Sequence, residues 1–214
     1  MLKIWGRASS INVQKVMWAV ATLGIKHERI DLGGKFGGLD TPEQLARNPH
    51  GLIPVIDDGG TVVWESHAIV RYLAAQYGNG TLWPSDPAGR AAADMWMEWA
   101  QTVLQRNFIQ LFWALYRTPV EQHDHALLAE LTAKCGEDFK SLDRLLGDQA
   151  TITGETLTYG DIPIATQFFR YFTLEIEQPS VPNVKSWYDR LSKDTTYAEH
   201  VMVDYRELRA RLAH

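Results

Sequence analysis

Two short stretches of the chain carry residue types that suit holding a small peptide by its main chain. The first, residues 48–54, ends in Ile53-Pro54 ahead of a strand-like run, and an X-Pro bond adopts the cis form at little cost. A cis turn would direct the Ile53 amide and carbonyl outward, where an extended peptide pairs with them as an added strand does. Taken alone, the dipeptide also fits an ordinary trans turn.

The second stretch is Glu65-Ser66, at the predicted start of a helix. Ser66 is a good N-cap residue, and the amide groups of a helix N-terminus favour an anion, whereas the Glu65 carboxylate favours an ammonium. A free amino-acid terminus carries both charges. Taken alone, the pair also fits an ordinary cap; together, the two stretches predict a pocket for a small peptide with a free amino-acid end.

The composition limits the classes of partner. The chain has 214 residues and a net charge of −5, with acidic and basic residues interspersed, which argues against nucleic acid or an anionic membrane as partner. Cys135 is the only cysteine, so an intrachain disulfide and a cysteine-based metal cluster are excluded. A secretion signal and an apolar run of membrane-spanning length are both missing. We expect a soluble cytoplasmic protein without a metal.

The elements that must position the two stretches form a mixed α/β unit. Residues 2–5, 13–23 and 27–32 have the patterns of a strand, an amphipathic helix and a second strand. Asp58-Gly59-Gly60 separates two short apolar runs as a hairpin turn does, and a helix from Ser66 to about Tyr77 follows. This order predicts a small mixed sheet covered by helices.

The rest of the chain is predicted to be helical, after a segment of turn formers at residues 78–87. Residues 87–116 are apolar on more than one face, which is typical of a helix covered on more than one side. Thr158 and Asp161 have the spacing of a capping box, with Asp161 itself as an alternative cap. Further amphipathic stretches are residues 121–146, 162–172, 184–191 and 197–212.

These features, in this order, resemble the cytosolic glutathione transferase superfamily over nearly the whole chain. Residues 48–55, 64–73 and 93–99 look like bacterial members, with theta-like and nu-like features. The resemblance implies glutathione as the bound peptide and co-substrate, no metal, and a homodimer. It also implies an α/β thioredoxin-like N-terminal domain with a mixed four-stranded sheet at residues 1–80, a linker at 81–88, and an all-α helical bundle domain at 89–214.

The same resemblance assigns the residues that bind glutathione. In the family, the residue before the cis-proline pairs with the cysteinyl backbone, and the Glu-Ser pair holds the γ-glutamyl terminus. The matching residues here are Ile53, Pro54, Glu65 and Ser66. Leu52 stands where many members have a basic or amide side chain, so the glycyl carboxylate must be bound elsewhere. Lys35, in a glycine-rich loop, and His50 are the candidates, and each also fits a solvated surface residue.

The family's catalytic group lies after the first strand, at the N-terminus of the first helix. Counting back from Gly24 places Ser10 there, with Ser9 adjacent and Asn12 two residues on. A thiol such as that of free cysteine, with a pKa of about 8.5, is mostly protonated at neutral pH. A hydroxyl hydrogen bond and a helix N-terminus both favour the thiolate. Ser10 is the predicted activator, Ser9 and Ser10 also fit helix caps, and Asn12 resembles part of the nu-like thiol site.

Three functions fit these residues. The leading one is a detoxifying transferase that activates the glutathione thiol for attack on a small apolar electrophile. The second is a glutathione-dependent disulfide reductase, suggested by Asn12, and the third is a ligand-binding protein without turnover. Candidates for the pocket of the second substrate are Arg7, Ala8, Phe36, Trp99, Asn107 and Phe108.

Overall fold

A computed structural model describes residues 1–210 of the chain. Its single sheet consists of β1 (Leu2–Trp5), β2 (His27–Ile30), β3 (Val55–Asp58) and β4 (Thr61–Trp64), in the order β2-β1-β3-β4. β1 and β2 are parallel, as a crossover helix allows, and the other two pairs are antiparallel. Gly59 and Gly60 both have positive φ, which suits the tight turn between β3 and β4. The predicted mixed four-stranded sheet is confirmed.

Three helices belong to this α/β unit: α1 (Ile11–Thr22), α2 (Pro42–Arg47) and α3 (Ser66–Tyr77). α1 and α3 pack against each other. Val13, Val16 and Val20 of α1 have no exposed surface, so the predicted apolar face of this helix is the buried one. The N-termini of α1 and α3 lie side by side, because Ser66 at the start of α3 donates to Asn12 of α1 at 3.4 Å.

The remainder of the described chain is helical, as predicted. α4 (Pro87–Trp99) continues through one π-helical turn (Ala100–Leu104) into α5 (Gln105–Tyr116). The linker prediction, 81–88, falls largely between the end of α3 and the start of α4, and the exact domain boundaries stay a prediction. The other helices are α6 (His125–Leu146), α7 (Asp161–Ala165), α8 (Phe168–Thr173), α9 (Pro182–Leu191) and α10 (Thr195–His200).

Two predicted helices differ from the structure. The stretch 162–172 is not one helix but α7 and α8, which meet at Thr166 and Gln167. The stretch predicted at 197–212 is helical only in α10, whose N-cap Asp194 accepts from the amides of Thr196 and Tyr197. A single 3₁₀ turn, Arg206–Leu208, follows, and residues 211 and 212 of the prediction lie outside the described residues.

Contacts between α1, α3 and the helical part hold the two parts together. Trp18 of α1 packs edge-on against Tyr197 of α10, with 4.9 Å between ring centroids. Arg71 of α3 donates to Asp94 and Glu98 of α4 at 2.8 and 3.0 Å. Within residues 1–210, no helix is both long and apolar enough to cross a membrane.

Candidate active site

The predicted peptide-holding turn is present. The Ile53-Pro54 bond is cis, and the Leu52 carbonyl accepts from Gln44 Nε2 and Asn48 Nδ2, both at 3.1 Å. These two bonds anchor the turn to α2. Neither the amide nor the carbonyl of Ile53 has a hydrogen-bond partner among residues 1–210, so both are open to an added peptide strand.

The second predicted stretch differs in one detail. Ser66 is the first residue of α3, and Glu65 occupies the N-cap position, so the prediction of Ser66 as the cap is wrong. Glu65 is the one non-glycine residue with positive φ, 68°, within residues 1–210. A side chain in this region is uncommon and persists where the surroundings enforce it, often at a ligand site. Ser66 is buried, whereas Glu65 is exposed beside it.

The two adjacent serines have different environments. Ser9 is buried, its hydroxyl donates to Glu207 of the last 3₁₀ turn, and its carbonyl accepts from Arg170 Nη2 at 2.5 Å. Ser10 is the N-cap of α1, yet its side chain makes no capping bond and has no partner within the described chain. Ser10 therefore presents a free hydroxyl at the positive end of a 12-residue helix, as a thiol activator requires.

Asn12 connects the two ends of the predicted site. Its Oδ1 accepts from Lys15 Nζ at 3.0 Å, from Gln105 Nε2 at 3.2 Å and from Ser66 Oγ at 3.4 Å. Three donors on one oxygen fix the orientation of the amide, because only the oxygen can accept. The Nδ2 group has no partner among residues 1–210, which leaves it as a donor for a ligand.

Lys15 is the least expected member of this cluster. Its side chain has no exposed surface, and Nζ donates to Asn12, to His67 Nε2 at 3.0 Å and to Gln105 Oε1. Burial lowers the pKa of Lys15 to about 7, against the opposing effect of the Glu65 carboxylate. Burial, followed by the charges of Lys15 and Arg71, lowers the pKa of His67 to about 2, so its Nε2 accepts as a neutral ring.

Sequence reasoning missed four members of the site: Lys15, Gln105, Arg170 and Glu207. For Lys15 a signal existed, since a lysine between Val13 and Val16 lies on the apolar face of α1. The other three come from α5, α8 and the last 3₁₀ turn, and nothing local to them marks a contact with the first helix.

The two candidates for the glycyl carboxylate are both near the surface. Lys35 Nζ lies 2.8 Å from a Glu207 oxygen, and the lysine side chain is 65% exposed. Hydrogen bonding to Glu207 raises the pKa of Lys35, which stays protonated. His50 packs edge-on against Trp64, with 5.3 Å between ring centroids. Their role in binding glutathione stays a prediction.

The six candidates for the pocket of the second substrate have different environments. Arg7 and Ala8 precede Ser9 directly, Phe36 is 46% exposed in the glycine-rich loop, and Trp99 packs edge-on against Trp96. Two candidates are wrong because they are buried in the helical core. The Asn107 amide donates to Asp138 of α6 at 2.6 Å, and Phe108 has no exposed surface and packs against Phe112 and Tyr171.

The next residues to consider are those that could bind a metal ion or act as a protein thiol. Within residues 1–210, His, Cys, Asp and Glu side chains form no cluster of three that could hold a metal ion. Cys135 is buried in α6, and burial followed by the charge of Asp138 raises the pKa of its thiol to about 12. A protonated, buried thiol is a poor nucleophile.

Comparison with known proteins gives the class to which this fold and site belong. Residues 1–75 match the model of the glutathione S-transferase N-terminal domain, and residues 104–194 match that of the C-terminal domain. The chain belongs to the glutathione S-transferase family. The predicted family, fold class and type of enzyme are thereby confirmed.

Individual relatives are similar over nearly their full length. Glutathione S-transferase GstB of Escherichia coli (strain K12) is 37% identical over 95% of this chain and 99% of its own. The theta class glutathione S-transferase from the citrus canker pathogen Xanthomonas axonopodis pv. citri, solved with glutathione bound, is 41% identical. It covers 95% of this chain and 98% of its own at a TM-score of 0.91. Bombyx mori glutathione transferase BmGSTD1 is 27% identical, covers 97% and 95%, and has a TM-score of 0.86.

Proposed function

We propose that this glutathione transferase activates the glutathione thiol through Ser10, with Asn12 as a second donor, for attack on an electrophile. Glutathione lies along the Ile53 turn, with its γ-glutamyl end between Glu65 and the N-terminus of α3. The sulfur lies at the N-terminus of α1. Ser10 donates its hydroxyl hydrogen to the sulfur and stabilises the thiolate, and the thiolate forms the new bond to carbon.

The observation that carries this proposal is the free hydroxyl of Ser10 at the start of α1, beside a neighbour whose hydroxyl is already used. Ser9 donates to Glu207, whereas Ser10 has no partner among residues 1–210. A hydrogen bond to a charged group contributes about 1.5–3 kcal/mol. That range corresponds to about one to two units in the pKa of the bound thiol.

Steady-state kinetics with glutathione and chlorodinitrobenzene test the proposal. We expect Ser10→Ala to lower kcat/KM by about tenfold to a hundredfold, because the lost bond is made only to the developing thiolate. Ser9→Ala is the matched control, and we expect a much smaller loss from it. Because the Ser10 side chain makes no capping bond, its removal leaves α1 intact. Equal kinetics of Ser10→Ala and the unmodified protein would contradict the proposal.

A second candidate function, glutathione-dependent disulfide reduction, is supported by the fixed orientation of Asn12. Its free Nδ2 is a further donor for a sulfur anion, which both chemistries need. With Cys135 buried, such a reaction would use two glutathione molecules and no protein thiol. Turnover of a small model disulfide, compared with that of chlorodinitrobenzene, distinguishes the two; an Asn12→Ala variant that loses only the disulfide activity would favour reduction. If glutathione binds but neither the disulfide nor chlorodinitrobenzene is turned over, the ligand-binding function is the best supported of the three.

The remaining predictions concern the second substrate, the biological role, the oligomeric state and the cellular location. We propose that the second substrate is small and mainly apolar, with Phe36 and Trp99 beside it, and that the enzyme serves detoxification. A homodimer and a cytoplasmic location, with neither nucleic acid nor a membrane as partner, also stay predictions. Sedimentation equilibrium and cell fractionation measure the first two.

A further inference from the structure

A group of arginines next to the predicted thiol site is not explained by the function proposed so far. The Arg7 carbonyl accepts from the Ser10 amide at 3.1 Å, so this residue lies directly beside the proposed activator. Arg170 is 3% exposed and donates to the Ser9 carbonyl. Arg117 is close enough that its charge lowers the pKa of both Arg7 and Arg170, after burial, which is the larger cause. We call Arg7, Arg117 and Arg170 the arginine cluster.

The position of Arg7 is built into the glycine-rich loop. A Cβ on Gly34 would lie 2.7 Å from Arg7 Nε and 2.9 Å from its Cδ, and Gly34 has a φ of +59°. The positive φ favours glycine, and a Cβ at this position would displace the Arg7 side chain. The loop therefore holds the Arg7 guanidinium against the same segment that carries Lys35 and Phe36.

The guanidinium groups of this cluster have donors without acceptors. Nε and Nη1 of Arg7, and Nε of Arg170, are buried and have no hydrogen-bond partner within residues 1–210. A buried donor without a partner is costly, and a guanidinium donor more so, unless a ligand supplies the acceptor. Arg170 is otherwise held by the rings of Phe112 and Tyr205, whose centroids are 5.2 and 5.3 Å from its Cζ.

Glu207 is the nearby acid, but its direct contacts are used elsewhere. Its oxygens pair with the Ser9 hydroxyl and with Lys35, and it affects Arg7 only through its charge. Glu207 thus pairs with Lys35 and acts through its charge on one arginine of the cluster, Arg7. Arg7 and Arg170 therefore keep unmet N–H groups beside the segment that carries Ser9 and Ser10.

From this arrangement we propose that the second substrate carries a carboxylate, which Arg7 binds while an electrophilic carbon elsewhere in the same molecule reacts with the thiolate. A guanidinium matches a carboxylate with two parallel hydrogen bonds, which a neutral amide of the same shape cannot accept equally. This inference rests on the proposed transferase function. It replaces a purely apolar electrophile with an apolar body that ends in a carboxylate.

The reaction balances without a further reagent when the body is an aryl chloride. The glutathione sulfur bonds to the ring carbon that bears chlorine, and the electron pair moves onto the ring and its nitro group. The carbon–chlorine bond then breaks, and chloride leaves with the pair. The thiol proton passes to solvent when the thiolate forms.

A matched pair of substrates tests the proposal: a chloronitrobenzoate and the corresponding chloronitrobenzamide, each rate divided by its uncatalysed rate. The readout is the ratio of kcat/KM for the acid to that for the amide. We expect the ratio to fall by about tenfold or more in Arg7→Met, as the loss of a charge-assisted pair implies. Arg144→Met, on the exposed face of α6, is the control and should keep the ratio. A general loss of activity would lower kcat/KM for the acid and the amide alike and would leave their ratio unchanged.

Glu207→Gln gives a second, opposite test should Arg7→Met not fold. Removal of the competing carboxylate should raise the same ratio. An unchanged ratio in the folded variants would overturn the proposal, while continued turnover of the amide would leave the transferase function standing. Absence of turnover for both rings and for chlorodinitrobenzene would instead overturn the proposed function and this inference with it.

The glycyl carboxylate of glutathione is the other source of the same chemistry. If Arg7 bound it, Arg7→Met would raise the KM for glutathione equally with both rings. This increase would disappear with glutathione esterified at its glycyl carboxylate. That result would overturn the proposal for the second substrate, whereas a KM effect confined to the chloronitrobenzoate would support it.

Discussion

Lys15 shows how a single buried charge connects the start of α1 to the start of α3. It donates to Asn12 of its own helix, to His67 one residue after Ser66, and to Gln105 from the helical part. The protonated form supplies three donors for these three acceptors. The network is thus complete when Lys15 is charged and His67 is neutral.

The buried position of Lys15 predicts a pH-dependent stability. Burial lowers its pKa from 10.5 to about 7 in the folded protein, so between these values the unfolded chain binds more protons. The free energy of unfolding should therefore rise with pH in this window and lose this dependence below about pH 7. From pH 7 to 9 we expect a gain of about 2 kcal/mol relative to Lys15→Met, measured by denaturant unfolding. Lys193→Met, an exposed control, should show the same pH dependence of the free energy of unfolding as the unmodified protein. If Lys15→Met also shows that same pH dependence, the lowered pKa of Lys15 is refuted.

At the scale of elements, the π-helical turn between α4 and α5 comes directly before the residue that reaches the site. Such turns are rare and often occur at functional sites, because the extra residue rotates the side chains that follow. Here the turn ends at Leu104, and Gln105 then contacts Asn12 and Lys15 of α1. The orientation of Asn12 thus depends on the helical part of the chain.

This dependence predicts that Gln105→Met lowers activity without unfolding the protein. The methionine keeps the length of the side chain but removes both the donor to Asn12 and the acceptor for Lys15. We expect kcat/KM with chlorodinitrobenzene to fall by about tenfold, the value of one lost polar contact to the oriented amide. Gln101→Met, exposed in the same π turn, is the control. Equal activity of the two variants would show that the domain contact does not orient the site.

At the start of α7, one buried carboxylate, that of Asp161, accepts several hydrogen bonds. Asp161 has no exposed surface and accepts from the amide and hydroxyl of Thr158, at 2.7 and 3.1 Å, and from the amide and hydroxyl of Thr153, at 3.2 and 2.5 Å. Only half of the predicted capping box is present: the Thr158 amide donates to Asp161, but the Thr158 hydroxyl accepts from the Gly160 amide and not from that of Asp161. The N-cap of α7 is Gly160, so the alternative prediction of Asp161 as the cap is wrong.

Asp161→Asn should therefore destabilise the protein strongly. The amide keeps one acceptor oxygen and brings two donors to a place that offers only donors. We expect a loss of about 2–4 kcal/mol in the free energy of unfolding. Thermal or denaturant unfolding measures it against Asp148→Asn, an exposed control on the loop after α6. A loss no larger than that of the control would contradict a structural role for the four bonds.

At the scale of the whole molecule, the sequence predicted what depends on local order and missed what depends on tertiary contact. The cis Ile53-Pro54 turn, the mixed sheet and the start of α1 at Ser10 follow from motifs only a few residues long. Asn107 and Phe108 were misplaced, because a helix that is apolar on several faces does not reveal which face lines a pocket. Arg170 and Glu207 meet Ser9 from more than 150 residues away, and no local pattern encodes that distance.

The most direct test of the account is the pKa of the glutathione thiol in the complex, followed by the ultraviolet absorbance of the thiolate during a pH titration. In the unmodified protein we expect this pKa to lie below the value of about 8.5 for a free thiol. Ser10→Ala should raise it by about one to two units, while Ser9→Ala, whose hydroxyl is held by Glu207, should leave it in place. A thiol pKa that is the same in the unmodified protein and in Ser10→Ala would contradict the central claim.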